Sequence, residues 1–193
     1  MKCIKKFFKK KTAQVTSKVT KLKLGMIIPH TIKAQGAVAY DGKLSEYNYG
    51  LLLAYTLDIR TASRNIGGVH KAAKKLVDYG CNASIEPHFN AYNGKAYGAE
   101  ILVLANDPES EIFARKVIEL FVKKFPERKM RADYGIKKVF QGDRGYNNLK
   151  AAKSEGIRVA ILTELFFGDN EKDWMEIYTH ADFIREIQRE LKC

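Results

Sequence analysis

Between Ile157 and Phe167 the chain carries the run IRVAILTELFF, in which only Arg158, Thr163 and Glu164 break the apolar sequence. A stretch this short and this rich in β-branched and aromatic residues predicts a strand, and its near-continuous apolar character calls for cover on both faces. Such a strand belongs inside a sheet between helical layers.

The remaining sequence supplies those layers. Leu22 to Ile28 reads as a first strand, interrupted by Gly25 and ended by Pro29-His30. Ser45 is placed to cap a helix with Glu46 in its first turn, and Tyr49, Leu52, Leu53 and Thr56 recur at helical spacing. Val69, Ala72, Ala73 and Leu76 share one face of a second helix, about Val69 to Tyr79, with Gly80 as its stop signal. The strand NASIEPHFNA follows, then the strand YGAEILVLA. Asp107-Pro108-Glu109-Ser110-Glu111 opens an acid-rich helix that continues through Phe113, Val117, Leu120 and Phe121 until Pro126. NNLKAAKSEG predicts a short helix closed by Gly156, and a last helix covers roughly Asp173 to Leu191. Alternating β and α signals without a Pro/Gly/Ser linker predict one α/β domain over residues 22–193.

Charge is distributed unevenly. The net charge is +12, yet residues 1–25 hold nine lysines and no acid, which leaves 25 basic against 22 acidic residues, or +3, for the rest. A nearly balanced body with a basic arm over residues 1–21 argues against a nucleic-acid-binding face, which needs basic residues spread through the fold. The arm is read either as a solvated leader or as an electrostatic tether to an anionic polymer or membrane surface. Phe7 and Phe8 followed by three lysines do not make the apolar core of a secretory signal. No apolar run approaches the roughly 18–20 residues of a membrane span, so a soluble protein is expected. Cys3, Cys81 and Cys193 lie far apart and form no Cys-x-x-Cys pair, so a metal must be held by histidine and carboxylate.

Two of the four histidines, His30 and His88, follow strand signals, and Glu46 lies between them in sequence. Two histidines and one glutamate form a catalytic zinc shell with one tetrahedral position left for water. Spacing alone leaves open whether the three converge.

The order of motifs IIPHTIKAQGA, LSEYNYGLLLAYTLDI, ASIEPHFNA, YGAEILVL and RVAILTELFFGDN resembles the zinc N-acetylmuramoyl-L-alanine amidases of the type-3 catalytic domain, over roughly residues 22–190. The resemblance implies a twisted, mixed β-sheet flanked by helices on both faces. It implies one Zn2+ on His30, Glu46 and His88, with Glu164 as the catalytic carboxylate. The implied reaction is hydrolysis of the amide between the N-acetylmuramoyl group and the L-alanine of the peptidoglycan stem peptide. Zinc would activate water and polarise the carbonyl, while Glu164 takes a proton from the water and returns it to the leaving amine.

Two departures from the family pattern stand out. The first histidine usually sits between glycines, and here it lies between Pro29 and Thr31. Glu86 and Pro87 separate Ile85 from His88 where the family commonly runs Ser-Ile-His, which either re-aims His88 or marks a phage-type branch. Asn90 is a weaker candidate for contact with substrate. Glu100 either orients a ligand or faces solvent, and His70 and His180 read as surface or boundary residues. The alternatives to an amidase are another zinc hydrolase of amide or peptide bonds on the same scaffold, and an inactive zinc-holding wall-binding module. The lack of a recognisable signal fits a phage-type lysin that accumulates in the cytoplasm and is released to the wall; export by an unrecognised route is the other option.

Overall fold

The computed structural model describes residues 21–191. The basic arm therefore lies outside the described residues apart from Lys21, as do Cys3 and Cys193. Strands β1 (Leu24–Ile28), β2 (Arg60–Ser63), β3 (Ala83–Asn90), β4 (Glu100–Leu104), β5 (Ile136–Val139) and β6 (Val159–Phe167) form one mixed sheet in the order β2-β1-β3-β6-β4-β5. Only the β4–β6 pairing is antiparallel. Helices α1 (Glu46–Thr56), α2 (Gly68–Asp78), α3 (Pro108–Lys124), α4 (Tyr146–Ser154) and α5 (Ile177–Glu190) complete it, with a 3-10 turn at Arg64–Ile66. None of these helices is long and apolar enough to cross a membrane.

Side-chain alternation along each strand divides the core into two layers. Met26, Ile85, Phe89, Ile101, Val103 and Ile161 face α1, α3 and α5, which contribute Tyr49, Leu53, Phe113, Phe121, Phe183 and Ile184. On the other face Ile27, Leu102, Ala160 and Leu162 pack under Ala72, Ala73 and Leu76 of α2 and Leu149 and Ala152 of α4. All nine residues of β6 are buried, as its apolar run requires. Gly25 sits where α2 presses on β1: a Cβ there would meet Leu76 Cδ2 at 2.9 Å and Cys81 Sγ at 3.0 Å. Pro87 is tolerated inside a central strand because the β1 pairing ends at Ile85, so no ladder bond to β1 is needed from residue 87.

The expected helices and the four expected strands are present with shifted ends. Ser45 caps α1, its hydroxyl accepting from Asn48 N at 3.2 Å, and Asp107 caps α3 in the same way through Ser110 N. Two strands are additional: β2 (RTAS) and β5 (IKKV), the two edges of the sheet. The last helix starts at Ile177, later than expected, because Asp173 is occupied in the preceding loop. Its Oδ2 accepts from Gly98 N and Phe167 N, and Arg128 pairs with its Oδ1 at 3.3 Å.

His180 corrects the expectation of a surface or boundary residue. It is fully buried on α5, with Nδ1 3.0 Å from the Tyr49 hydroxyl, while that hydroxyl also lies 3.0 Å from the Met175 carbonyl. Its Nε2 is buried without a partner. Burial foremost, with Arg128 adding to it, depresses its pKa to about 3, so the imidazole is neutral at ordinary pH. His70 is exposed and pairs with Glu155 at 2.9 Å.

Candidate metal centre

The three residues singled out in sequence come together at one end of the sheet. His30 follows β1, Glu46 opens α1, and His88 lies near the end of β3. One ligand atom from each lies within 4.8 Å of the others, and among the described residues this is the group of three or more His, Cys, Asp or Glu so arranged. His30 Nε2 is 3.0 Å from Glu46 Oε2, and His88 Nδ1 is 2.9 Å from Glu46 Oε1.

The loop between β1 and α1 wraps closely around this group. His30 itself adopts φ 60, a left-handed conformation that costs a non-glycine residue about 1–2 kcal/mol. Gly36, at φ +79, lies where a Cβ would come within 2.5 Å of both Glu46 Oε2 and His30 Nε2. Backbone thus approaches the donors where no side chain fits. Ala37 N donates to Glu46 Oε2 at 2.8 Å and Phe89 N to Oε1 at 3.3 Å, so both carboxylate oxygens are fixed.

Burial pushes the Glu46 carboxyl up, but hydrogen bonds from His30 and His88 and their charge outweigh it and hold the group well below the usual carboxylate range. Burial likewise pulls His88 down, and bonds to Glu46 and Glu86 reverse this, raising it to about 10. Two histidines around an ionised carboxylate fit a divalent ion that takes mixed nitrogen and oxygen donors. The site could hold a metal ion.

Glu164 is 2% exposed and lies directly across the ladder from His88. Its other ladder partner is Glu100, so His88, Glu164 and Glu100 form one row over three strands on the α2/α4 face. Glu100 does not face solvent. It is buried, accepts from Asn90 Nδ2 at 3.2 Å, and lies 3.7 Å from Arg131 and 3.6 Å from Arg144. Arg144 spans the row, donating to Glu164 Oε2 at 2.5 Å and to Asn90 Oδ1 at 3.0 Å. Burial, with Glu100 adding its charge and a hydrogen bond, pushes Glu164 up to about 7 against the opposing pull of Arg144 and His88. That value suits proton transfer in both directions near neutral pH.

Arg144, Gly36 and the partners of Glu86 were not among the candidates. Arg144 comes from the turn before α4 and carries no local pattern that distinguishes it from any other basic loop residue.

No family model and no curated protein matches this sequence. Solved structures do match in fold. The CwlD amidase from Clostridioides difficile, in complex with the GerS lipoprotein, has a TM-score of 0.64 at 16% identity, over 87% of this chain and 94% of that one. The N-acetylmuramoyl-L-alanine amidase AmiC2 of Nostoc punctiforme gives 0.64 at 18% identity, covering 90% and 99%. The catalytic domain of an endolysin targeting Clostridia difficile gives 0.62 at 20% identity, covering 88% and 97%. The chain shares the fold of N-acetylmuramoyl-L-alanine amidase catalytic domains.

Proposed function

We propose that this chain is a zinc-dependent N-acetylmuramoyl-L-alanine amidase that hydrolyses the amide joining the muramoyl group of peptidoglycan to the first residue of its stem peptide. The observation that carries this reading is the convergence of His30, Glu46 and His88 beside a buried Glu164, on the fold shared with amidase catalytic domains. The donor set fits zinc, and the 2.5 Å approach that a Cβ at Gly36 would make shows how closely the chain is moulded around the donors. When bound, zinc supplies Lewis acidity, polarising the scissile carbonyl and acidifying water.

The chain's own residues provide positioning and proton transfer. Glu164 takes a proton from the attacking water at its carboxylate and delivers it to the leaving amine, a dual role that a carboxyl near pKa 7 can fill. Arg144 holds Glu164 Oε2, and through Asn90 and Glu100 it ties the acid to the sheet.

The test is mass analysis of fragments from purified peptidoglycan digested with the zinc-loaded protein, the chelated protein and the reloaded protein. Stem peptides with a new free L-alanine amine, lost on chelation and regained with zinc, are expected. Fragments cut at a glycosidic bond or within the stem peptide overturn the assignment.

A further inference from the structure

Glu86 is the carboxylate that interrupts the familiar Ser-Ile-His order, and its placement gives it a use. It stands two residues before His88 on β3, so both side chains emerge on the α2/α4 face. There it is buried, where an isolated ionised carboxylate would cost several kcal/mol. Three donors from three elements meet its Oε1: Arg64 Nη1 at 3.1 Å from the 3-10 turn, Asn148 Nδ2 at 3.0 Å from α4, and His88 Nε2 at 3.1 Å from its own strand. Arg64 supplies the compensating charge, its side chain only 22% exposed.

We propose that Glu86 is a positioning residue that holds the Nε2–H of His88 and so turns Nδ1 toward Glu46 and His30 as the metal-binding atom. This rests on the reading of His88 as a zinc ligand. Glu86 lies outside the group of mutually close donors, so it acts through the imidazole rather than on the ion. An imidazole has two nitrogens, and the one that binds a metal is set by the hydrogen bond the other makes. In this chain Nε2 is committed to a carboxylate anchored by Arg64 and Asn148, and Nδ1 lies 2.9 Å from Glu46 Oε1. Rotating the ring would break the Nε2 bond and leave the Glu86 oxygen short of one donor.

The experiment uses the full chain, stripped of metal by a chelator and titrated with zinc against a chromogenic competitor, with His88→Ala as control. Wild type should bind one zinc, and its loss in His88→Ala establishes the ligand; zinc binding unaffected by that control defeats the metal reading itself. With the ligand established, Glu86→Ala should weaken zinc affinity about 10–100-fold, the usual effect of removing such a partner. Glu86→Gln, which keeps an acceptor oxygen without the charge, should recover part of that loss. Thermal melting of the zinc-free variants separates a loss of fold from a loss of affinity. Long-range proton–nitrogen NMR of the zinc-loaded wild type should show His88 protonated at Nε2. Wild-type affinity in Glu86→Ala overturns the proposal. So does an Nδ1-protonated, zinc-loaded His88, and that measurement needs no variant to fold.

Discussion

Gly36→Ala should damage the metal site far more than the fold, and Gly42→Ala supplies the matched control. Both glycines lie in the loop between β1 and α1 with similar left-handed backbone, φ +79 and φ +74. Alanine at either position carries the same backbone strain, about 1–2 kcal/mol. A Cβ at Gly42 meets nothing within 4 Å, so strain is its whole effect. A Cβ at Gly36 would lie 2.5 Å from Glu46 Oε2 and 2.5 Å from His30 Nε2, well inside the distance real Cβ atoms keep. The loop or the two donors must then move by about half an ångström or more, roughly the tolerance of a preorganised site. Whichever moves, the neighbouring bond from Ala37 N to Glu46 Oε2 is at risk, and a hydrogen bond to a charged group contributes about 1.5–3 kcal/mol. At about 1.4 kcal/mol per decade, zinc affinity should fall roughly 10–100-fold relative to Gly42→Ala. Competition titration reads the affinity, and thermal melting reads the shared strain. Equal zinc affinity in the two variants refutes the view that Gly36 is needed for backbone to approach the donors.

Further outcomes follow from the buried groups. Glu164→Gln should keep zinc and fold while amide cleavage drops about 10²-fold or more, and unchanged turnover removes Glu164 from the mechanism. The folded-state pKa of Glu164, near 7, exceeds the ordinary 4.5, so the folded protein binds the extra proton. Stability of the zinc-free protein should therefore decline as pH rises from about 4.5 to 7, by at most roughly 3 kcal/mol, and the decline should vanish in Glu164→Gln; urea titrations across that range check it. Because His88 is raised to about 10, zinc must displace its proton at neutral pH. Affinity should then climb about tenfold per pH unit between pH 6 and 8, and a flat titration series excludes that proton. His180, depressed to about 3 from 6.5, contributes stability that is fully present above pH 6.5 and lost as pH falls toward 3. His180→Phe should flatten this acid limb in denaturation experiments, and an unchanged limb assigns it to other groups.

The elements legible in sequence are those whose own side chains decide their state. β6 needed no partner to be recognised, because nearly every residue of its run is apolar. β2 and β5 are four residues long with burial on only some of them, and their strand character comes from pairing with β1 and β4. His180 was legible and misread. With Phe183, Ile184 and Ile187 it completes the i, i+3, i+4, i+7 stripe of α5, and a polar residue on such a stripe is buried if it finds a partner, here Tyr49. For the candidate metal site, sequence offered residue types and order, while convergence depended on the fold bringing together the end of β1, the start of α1 and the end of β3. Arg144 is the opposite case: its role arises from where the turn before α4 crosses the sheet, which no local pattern encodes.

The row His88–Glu164–Glu100 ties the proposed chemistry to the packing of the sheet. Parallel pairing sets His88 against Glu164, and antiparallel pairing sets Glu100 on the other side of the same acid. A slip of β6 by one residue would turn Glu164 toward the layer filled by Phe89, Ile101 and Ile161, and bring Thr163 or Leu165 to the site face. Register is strongly specified because Ala160 and Leu162 on one face and Ile161 and Leu165 on the other are buried in separate cores. The apolar run that makes β6 the most predictable strand is thus also what fixes the height of Glu164 beside His88. An acid in that run is tolerated because Arg144 donates to Glu164 Oε2 and also bonds Asn90, which in turn donates to the neighbouring Glu100.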